Sequence, residues 1–339
     1  MDVAVVGFGR FGRALVSLLI EAGYETRAWD TTATVPSDRA MKSLDEVSTA
    51  RFVVLAMPVP AMGAALAELR PFLSPKQIVF DVGSVKVKTA EAMRAALGAD
   101  IPWAGAHPLF GPMSLAAAER PMRVVLCPSP EHPEAAREVR ALFEKLECEV
   151  IEQTPEAHDR VMAHTHALTF FVAKGMLDSG AGMEVPFAPA SFQALARAIE
   201  VVRSDAGHLF SAIANENPFA ADARKQLVEA LTSIDQSLSE KTEPAAIPDL
   251  GVRSFELEET REHIDAVDQE IVTLLARRAE LARRAGRAKA ALGAPVLDSG
   301  REARVLEARG EWARSQALDE TSVKEVFRAI MKLSRHVQR

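Results

Sequence analysis

The first thirty residues contain a glycine-rich turn between two short apolar segments, and this arrangement restricts the fold more than any other feature. Residues 2–6 read as a strand, residues 7–12 have the sequence GFGRFG, and residues 14–21 read as a helix. Glycines at this spacing allow a tight turn and let a phosphate approach the backbone at a helix N-terminus. The pattern predicts the first strand, turn and helix of a dinucleotide-binding α/β domain.

The second strand, at residues 24–30, ends in an acidic residue. Asp30 follows Gly12 by eighteen positions, where a carboxylate accepts hydrogen bonds from ribose hydroxyls. No arginine follows directly, since Thr31 and Thr32 do, so NAD is preferred to NADP. The alternative is a glycine turn in an α/β domain that binds no nucleotide. The residues expected to contact NAD are Gly7, Phe8, Gly9, Arg10, Phe11, Gly12, Asp30, Met57 and Pro58.

Strand-like and helix-like segments continue to alternate after these residues. The alternation predicts a Rossmann-like, mostly parallel, doubly wound sheet whose sites lie at the carboxyl ends of the strands. The further strands are predicted at residues 52–56, 78–82, 103–106, 123–127 and 149–151.

Three segments fall at such strand ends. They are Met57-Pro58, residues 83–86 (GSVK) and residues 105–112 (GAHPLFGP). Together they resemble the prephenate dehydrogenase family, in which one strand ends in GSVK and a later one in GxHPMFGP; here Leu109 replaces the usual methionine. The resemblance covers residues 1–240 approximately. It implies an NAD-binding domain at residues 1–152 and a helical domain at residues 153–240.

The resemblance assigns His107 as the catalytic histidine. It implies that His107 accepts a hydrogen bond from the hydroxyl on the ring carbon that loses hydride. Ser84 would orient His107 beside the nicotinamide, and loss of the ring carboxylate would drive aromatisation. Taken without the neighbouring motifs, His107 reads equally well as a turn histidine next to Pro108.

The match is weaker in the helical region after the sheet. Residues 157–160 (AHDR) resemble the start of the family's helical domain, but Phe170 stands where the family has a histidine that contacts substrate. No arginine is in register with the family's carboxylate ligand, and Arg197 is expected to take that role; the alternative is a solvated helix arginine. His164 and His166 are two positions apart on a helix, which directs them apart and argues against a metal site.

A long amphipathic helix is predicted at residues 257–292, with apolar residues at steps of three, four or seven. Arg278 and Lys289 lie eleven positions apart and fall on the same apolar stripe. Unpaired cations are costly to bury, so we expect an anion-binding cavity there. The alternative is an ion pair with Glu270, Glu280 or Glu302.

Two shorter helices are predicted next, at about residues 298–315 and 319–339, and Ser334 and Gln338 share a face of the second. The three helices resemble the all-helical class of chorismate mutase over about residues 256–339. Members of that class are three-helix subunits that intertwine as a homodimer. All eight polar positions of the family's site are matched in order by Arg261, Arg278, Lys289, Asp298, Arg301, Glu302, Ser334 and Gln338.

The resemblance implies a role for each of these side chains. The reaction of this family is a pericyclic rearrangement of chorismate to prephenate. It needs no nucleophile and no metal, because catalysis comes from holding a reactive conformer and from donors placed where charge develops. The substrate carboxylate end would be held by Arg278, by Arg261 from the partner subunit, and by Arg301 and Ser334. The ether oxygen would be bound by Lys289 and Gln338, and the ring hydroxyl by Asp298 and Glu302.

Composition fits a cytoplasmic protein. Cys127 and Cys148 are too few for a disulfide framework, and neither a signal peptide nor a membrane span is apparent. The net charge of −7 argues against a nucleic acid partner. Residues 241–255, with two prolines and a glycine, read as a linker between the two parts of the chain.

The two resemblances support each other, because the product of a chorismate mutase is the substrate of a prephenate dehydrogenase. The sequence therefore predicts a bifunctional oxidoreductase and isomerase that converts chorismate through prephenate to 4-hydroxyphenylpyruvate, in tyrosine biosynthesis. One alternative changes the ring substituent, since Phe170 and Glu200 would suit a 4-amino-4-deoxy analogue that yields 4-aminophenylpyruvate. A second alternative makes one half a silent ligand sensor or dimerisation module.

Overall fold

The chain folds into two compact units. The structure is a computed structural model that describes residues 1–180, 189–240 and 257–338. The predicted linker at residues 241–255 lies outside the described residues. The first unit contains Met1–Pro112 and Pro121–Ile247, and the second contains Met113–Arg120 and Pro248–Arg339.

A seven-stranded sheet forms the centre of the first unit. Its strands are β1 (Val3–Val6), β2 (Thr26–Trp29), β3 (Phe52–Leu55), β4 (Ile78–Asp81), β5 (Trp103–Pro108), β6 (Met122–Pro128) and β7 (Cys148–Glu152). They lie in the order β2-β1-β3-β4-β5-β6-β7, and all neighbours are parallel except β5 and β6. The predicted mostly parallel sheet is confirmed.

Helices connect the strands and cover the sheet. Strands β1, β3 and β4 are buried along their whole length, as expected of strands packed on both faces. The strand order reverses at β1, so right-handed crossovers place the first helix on the face opposite the next two. Such sheets bind ligands at the carboxyl ends of the strands where the order reverses, which here are β1 and β3. These helices are α1 (Arg10–Glu21), α2 (Val59–Leu69), α3 (Val87–Leu97) and α5 (Pro133–Lys145). The short helix α4 (Pro112–Ala116) follows β5 in the sequence and, from Met113 onward, belongs to the second unit.

The remainder of the first unit is helical. Residues Ala163–Ala167 form a π-helical turn that joins two helices without a break. The Asn217 side-chain amide donates to the Asp159 carbonyl at 2.8 Å and ties the end of one helix to the start of another. The helices are α6 (Pro155–Met162), α7 (Leu168–Asp178), α8 (Ala190–Glu216) and α9 (Ala220–Ser239).

The second unit contains the three helices that the sequence predicted: α10 (Leu257–Ala291), α11 (Ser299–Ser315) and α12 (Glu320–Val337). Gly293 has φ of +64° and ends α10 in a conformation that favours glycine. Asp298 and Asp319 cap α11 and α12, because their carboxylates accept backbone N–H groups at 2.8 and 2.7 Å. Helix α12 packs against both other helices.

Within the described residues, no helix combines the length and the apolar character needed to cross a membrane.

Candidate active sites

The turn after β1 has a geometry that only glycine permits. Gly7 has φ of +109°, and a Cβ there would lie 2.3 Å from the Ala56 carbonyl oxygen. A Cβ on Gly12 would lie 2.1 Å from the Gly7 carbonyl oxygen, whereas a Cβ on Gly9 would meet nothing within 4 Å. Gly9 is also the N-cap of α1, so the open space lies at a helix N-terminus. The turn therefore forms a cradle that suits an anionic group.

Asp30 lies directly after β2, beside this cradle. Its carboxylate accepts the Phe8 N–H at 2.6 Å and the Thr32 and Ala33 N–H groups at 2.7 Å each. Burial alone would raise the pKa of Asp30, but these hydrogen bonds together hold it below its ordinary value. The carboxylate is therefore ionised at neutral pH.

The other residues expected at the cofactor lie at the same sheet edge. Arg10 and Phe11 form the first turn of α1, and Met57 and Pro58 directly follow β3, which pairs with β1. The Phe11 and Phe110 ring centroids are 6.3 Å apart. This contact brings the glycine turn next to the segment that follows His107.

His107 lies inside β5, which is longer than predicted and runs through Pro108. Its side chain is buried, with 5% exposed. Burial lowers the pKa of His107 well below the usual 6.5, and the neighbouring His158, Lys86 and His166 lower it further. His107 is therefore neutral at pH 7, with one ring nitrogen able to accept a proton.

Two residues that the sequence did not single out hold His107 in place. The His107 Nδ1 lies 2.8 Å from the His158 Nε2, and the His158 Nδ1 lies 2.7 Å from the Asp159 Oδ1. His158 and Asp159 are buried at the start of the helical region, in α6. The only signal for them was the family resemblance of residues 157–160.

The His107 Nδ1 is hydrogen-bonded to His158. Asp159, the neighbour of His158, is held by the Asn217 side chain and by the backbone N–H groups of Lys86 and Val87. The expectation that Ser84 orients His107 stays a prediction.

Lys86, the last residue of GSVK, contacts the two strands β4 and β5 next to His107. Its ammonium is fully buried, pairs with Asp81 at the end of β4, and donates to the Ala106 carbonyl at 2.7 Å. A buried cation requires such partners. Lys86 therefore links the ends of β4 and β5 next to His107.

The π-helical turn places His166 and Phe170 beside His107. The His166 and His107 ring centroids are 6.2 Å apart with their planes 16° from parallel, and His166 meets Phe170 edge-on at 5.1 Å. Phe170 is buried and stacks on Phe210. The Arg197 side chain, expected to bind substrate carboxylate, lies outside the described residues.

In the second unit, Arg278 and Ser334 come together between α10 and α12. The Arg278 guanidinium donates to the Ser334 hydroxyl and to the Ile330 carbonyl at 3.4 Å. Burial lowers the pKa of Arg278, and the nearby Arg309 cation lowers it further. Arg309 is on α11 and was not among the predicted residues; the cation–π contacts of its guanidinium with Trp312 and Phe327 place it inside the helical packing.

Lys289 lies in the last turn of α10, and Gln338 is the C-cap residue of α12. The Lys289 Nζ donates to the Val296 carbonyl at 2.7 Å. A Cβ on Gly286 would lie 3.2 Å from the Gln338 side chain, so Gln338 packs one turn before Lys289 on α10. Neither Arg278 nor Lys289 pairs with an acid among the described residues, so the alternative of an ion pair with Glu270, Glu280 or Glu302 is wrong.

The remaining members of the set lie at the start of α11 and on α10. Glu302 pairs with Arg335, and Asp298 caps the helix by accepting the Arg301 N–H. Arg261 is exposed near the start of α10. Of the eight residues, the structure brings Arg278 and Ser334 into contact across α10 and α12, and it leaves Arg261 exposed.

Comparisons with known families match both units. The model of the prephenate dehydrogenase nucleotide-binding domain matches residues 22–152, and the model of chorismate mutase type II matches residues 260–339. The two matched regions do not overlap, so each covers a separate part of the chain.

Individual curated proteins are also similar to this chain. The chain is 26% identical over 257 residues to a 4-amino-4-deoxyprephenate dehydrogenase of Streptomyces pristinaespiralis, covering 70% of this chain and 84% of that protein. It is 34% identical over 174 residues to the T-protein of Enterobacter agglomerans, covering 50% of this chain and 42% of that protein. The curated relatives are matched over 27% to 84% of their own length.

The fold is also found among solved structures. A prephenate dehydrogenase of Aquifex aeolicus in complex with hydroxyphenyl propionate and NAD+ superposes with a TM-score of 0.57, at 20% identity, over 80% of this chain and 98% of that one. At this identity the likeness concerns the fold alone. The two family matches show that the chain joins a region like the nucleotide-binding domain of prephenate dehydrogenase, at residues 22–152, to a chorismate mutase type II domain, at residues 260–339.

Proposed function

We propose that the chain is a bifunctional enzyme that rearranges chorismate to prephenate and then oxidises and decarboxylates prephenate to 4-hydroxyphenylpyruvate. The observation that carries this proposal is the presence of the two domains in one chain, because their reactions are consecutive. The buried neutral His107 in one unit would supply the group that the oxidation needs. Arg278 with Ser334, together with Lys289 and Gln338, would supply those of the rearrangement.

The cradle after β1 suits NAD. Gly7 and Gly12 have no room for a Cβ, and the open space at Gly9 lies at the α1 N-terminus, where a pyrophosphate is favoured. The ionised Asp30 would accept the ribose hydroxyls and would repel the 2′-phosphate of NADP. When bound there, NAD would accept the hydride.

His107 would act on the ring hydroxyl of prephenate. Its unprotonated nitrogen takes the hydroxyl proton while the same ring carbon loses hydride, so that the carbon–oxygen bond becomes a carbonyl. The ring carboxylate then leaves as carbon dioxide, and its electron pair restores aromaticity. The phenolic oxygen takes the proton back from His107, so no proton is gained or lost overall.

The second unit would hold chorismate in its reactive conformer. One carbon–oxygen bond breaks and one carbon–carbon bond forms, and no proton moves. Arg278, with Ser334 beside it, would bind a carboxylate in a bidentate manner. Lys289 uses one of its three N–H donors on the Val296 carbonyl, so two remain for the ether oxygen, with Gln338 beside them.

We also infer that the second unit works as a homodimer. Ile264, Val267, Ile271 and Leu274 follow one stripe of α10 and are each 47% to 56% exposed, and a stripe of this kind is normally covered. Arg261 lies one turn before Ile264, so a partner on this stripe would meet Arg261. Cys127 and Cys148 are buried and are not joined in a disulfide, which suits the reducing cytoplasm that we propose as the location of the protein.

A second candidate keeps both reactions and changes the substrate to 4-amino-4-deoxychorismate. Phe170 is buried where the family has a histidine, and the Streptomyces pristinaespiralis relative bears the name of the amino-specific dehydrogenase. The carboxylates of Asp298 and Glu302 would bind an ammonium as well as a hydroxyl.

One experiment separates the two candidates. Purified protein is given NAD with either chorismate or 4-amino-4-deoxychorismate, and NADH absorbance is followed. Turnover on chorismate supports both steps of the first proposal. Turnover on the amino compound alone rejects it in favour of the second, and turnover on neither rejects both.

A further inference from the structure

A line of three buried side chains runs from the candidate base into the helical region. The His107 Nδ1 is 2.8 Å from the His158 Nε2, and the His158 Nδ1 is 2.7 Å from the Asp159 Oδ1. We propose that His158 and Asp159 are positioning residues that hold His107 with its proton on Nδ1, so that Nε2 is always the nitrogen that receives the substrate proton. This inference rests on the proposed dehydrogenase function of the same site.

Asp159 determines which groups of this network donate hydrogen bonds and which accept them. Its Oδ1 accepts the Lys86 N–H at 2.8 Å, and its Oδ2 accepts the Val87 N–H at 2.9 Å. Both donors are backbone groups and cannot reverse their role. The carboxylate is fully buried and surrounded by donors, so it acts as an acceptor toward His158 as well.

The tautomers of both histidines follow from this anchor. Because Asp159 accepts, the His158 Nδ1 must carry a proton. His158 is 2% exposed, and its burial lowers its pKa despite the opposing effect of Asp159, so the ring is neutral and its Nε2 is an acceptor. The 2.8 Å contact then requires the His107 Nδ1 to donate. In a neutral His107 the lone pair is therefore on Nε2.

The other neighbours of His107 are arranged differently. The Lys86 ammonium is engaged by Asp81 and by the Ala106 carbonyl. His166 lies on the π-helical turn, with its ring 6.2 Å from the His107 ring and nearly parallel to it. Within the described part of the chain, the hydrogen bond of the His107 Nδ1 is made to His158.

The network also has a consequence for the reaction. When Nε2 takes the hydroxyl proton, His107 becomes positive in a buried site. The hydrogen bond from its Nδ1–H to His158 then becomes charge-assisted, and Asp159 orients the His158 dipole to favour that charge. The proton stays on His107, so Asp159 has an orienting and electrostatic role, as the carboxylate has in a catalytic triad.

The test compares two substitutions of His158 with a matched control in the full-length protein. His158→Leu removes the acceptor, whereas His158→Gln retains a side-chain amide that accepts from Nδ1 and donates to Asp159. His164→Leu is the control, because His164 is exposed and lies only six residues along the same helical stretch. Prephenate turnover, NAD affinity and mutase turnover are measured for each, with nitrogen-15 spectra of labelled histidine.

We expect His158→Leu to lower kcat by about 10²- to 10⁴-fold with little change in KM, as when the tautomer of a catalytic histidine is lost. His158→Gln should recover part of this loss, and His164→Leu should behave as the unchanged protein. The spectra should show the His107 proton on Nδ1 in the unchanged protein and both tautomers in His158→Leu. NAD affinity and mutase turnover should be unaffected, which would establish that His158→Leu is folded.

A kcat for His158→Leu within about threefold of the unchanged protein, or an Nε2–H tautomer of His107 in that protein, would overturn the proposal. A loss that His158→Gln does not relieve at all would also count against it. The spectra distinguish this failure from a failure of the proposed function. If neither prephenate nor its amino analogue is turned over, the function is rejected while the tautomer of His107 still decides whether the positioning network exists.

Discussion

The two candidate sites differ in how much of each is completed by a single chain. His107, His158 and Asp159 are 5%, 2% and 0% exposed, and their hydrogen bonds are all made within one unit. In the mutase unit, Arg278 and Lys289 are only partly buried and donate to a hydroxyl and to backbone carbonyls. A large sheet with helices on both faces can enclose a polar network, whereas a unit of three helices has less core in which to bury one.

This difference shows which groups fix the geometry of each site. At His107 the geometry is fixed by buried backbone donors that cannot move without disturbing the sheet edge. In the mutase unit the apolar stripe of α10 is exposed, and the homodimer proposed above would cover it. We therefore expect the dehydrogenase site to depend on internal residues and the mutase site to depend on assembly.

The strongest test of the internal site is His107→Gln. The amide has no basic nitrogen, so prephenate oxidation should fall by about 10²- to 10⁴-fold through loss of general base catalysis. Mutase turnover of the same preparation should be unchanged, since no mutase residue is altered. Both are measured spectroscopically on one sample, and a variant that keeps more than about a tenth of its prephenate turnover would exclude His107 as the base.

The corresponding test of the mutase site is Lys289→Ala. Removing a donor to the ether oxygen should lower chorismate turnover by about 10²- to 10³-fold while NAD binding stays the same. Lys332→Ala, an exposed lysine of α12, is the matched control and should have no effect. Unaltered turnover in Lys289→Ala would mean that this lysine is structural and would favour a mutase unit that only dimerises or senses a ligand.

Much of the dehydrogenase unit could be predicted from local sequence patterns. The glycine spacing and the acidic end of β2 indicated the cradle, and alternating apolar segments indicated the sheet. His158 and Asp159 could not be found in this way, because their role depends on a contact across fifty-one residues of sequence. The π-helical turn that brings His166 toward His107 has no recognised sequence signal either.

In the mutase unit, the sequence identified candidate site residues but not the contacts that they make. Helical periodicity predicted that Arg278 and Lys289 lie on the apolar stripe of α10, whereas the full set of eight polar residues came from the family resemblance and stays a prediction. The partners of Arg278 and Lys289 were not predictable, since the Val296 and Ile330 carbonyls are main-chain groups that any sequence would provide. Arg309 was missed for a different reason: an arginine on a polar helix usually points into solvent, and only tertiary packing places it near Arg278.

The dependence of the mutase site on assembly can be tested by mixing inactive variants. If Arg261 completes the partner's site, Arg261→Ala and Lys289→Ala chains should each be weak, but a mixed dimer has one site with both changes and one with none. Statistical mixing of equal amounts should then restore about a quarter of the unchanged mutase activity. Activity that stays at the average of the two single variants after subunit exchange would place Arg261 outside the partner's site.

The smallest expected effect is a difference between the two reactions in how their turnover depends on pH. The pKa of His107 is lowered below 6.5 chiefly by burial, and catalysis needs the neutral ring, so the acid limb of the dehydrogenase kcat/KM should lie below pH 6.5. No histidine belongs to the mutase set, so chorismate turnover should lack a histidine limb. His158 also has a lowered pKa. Both histidines bind fewer protons folded than unfolded, and their contribution to the free energy of unfolding is present above pH 6.5 and is lost as pH falls below it. A dehydrogenase limb above pH 6.5 in the free enzyme would mean that His107 is more solvated than its enclosure by His158, Lys86 and His166 implies.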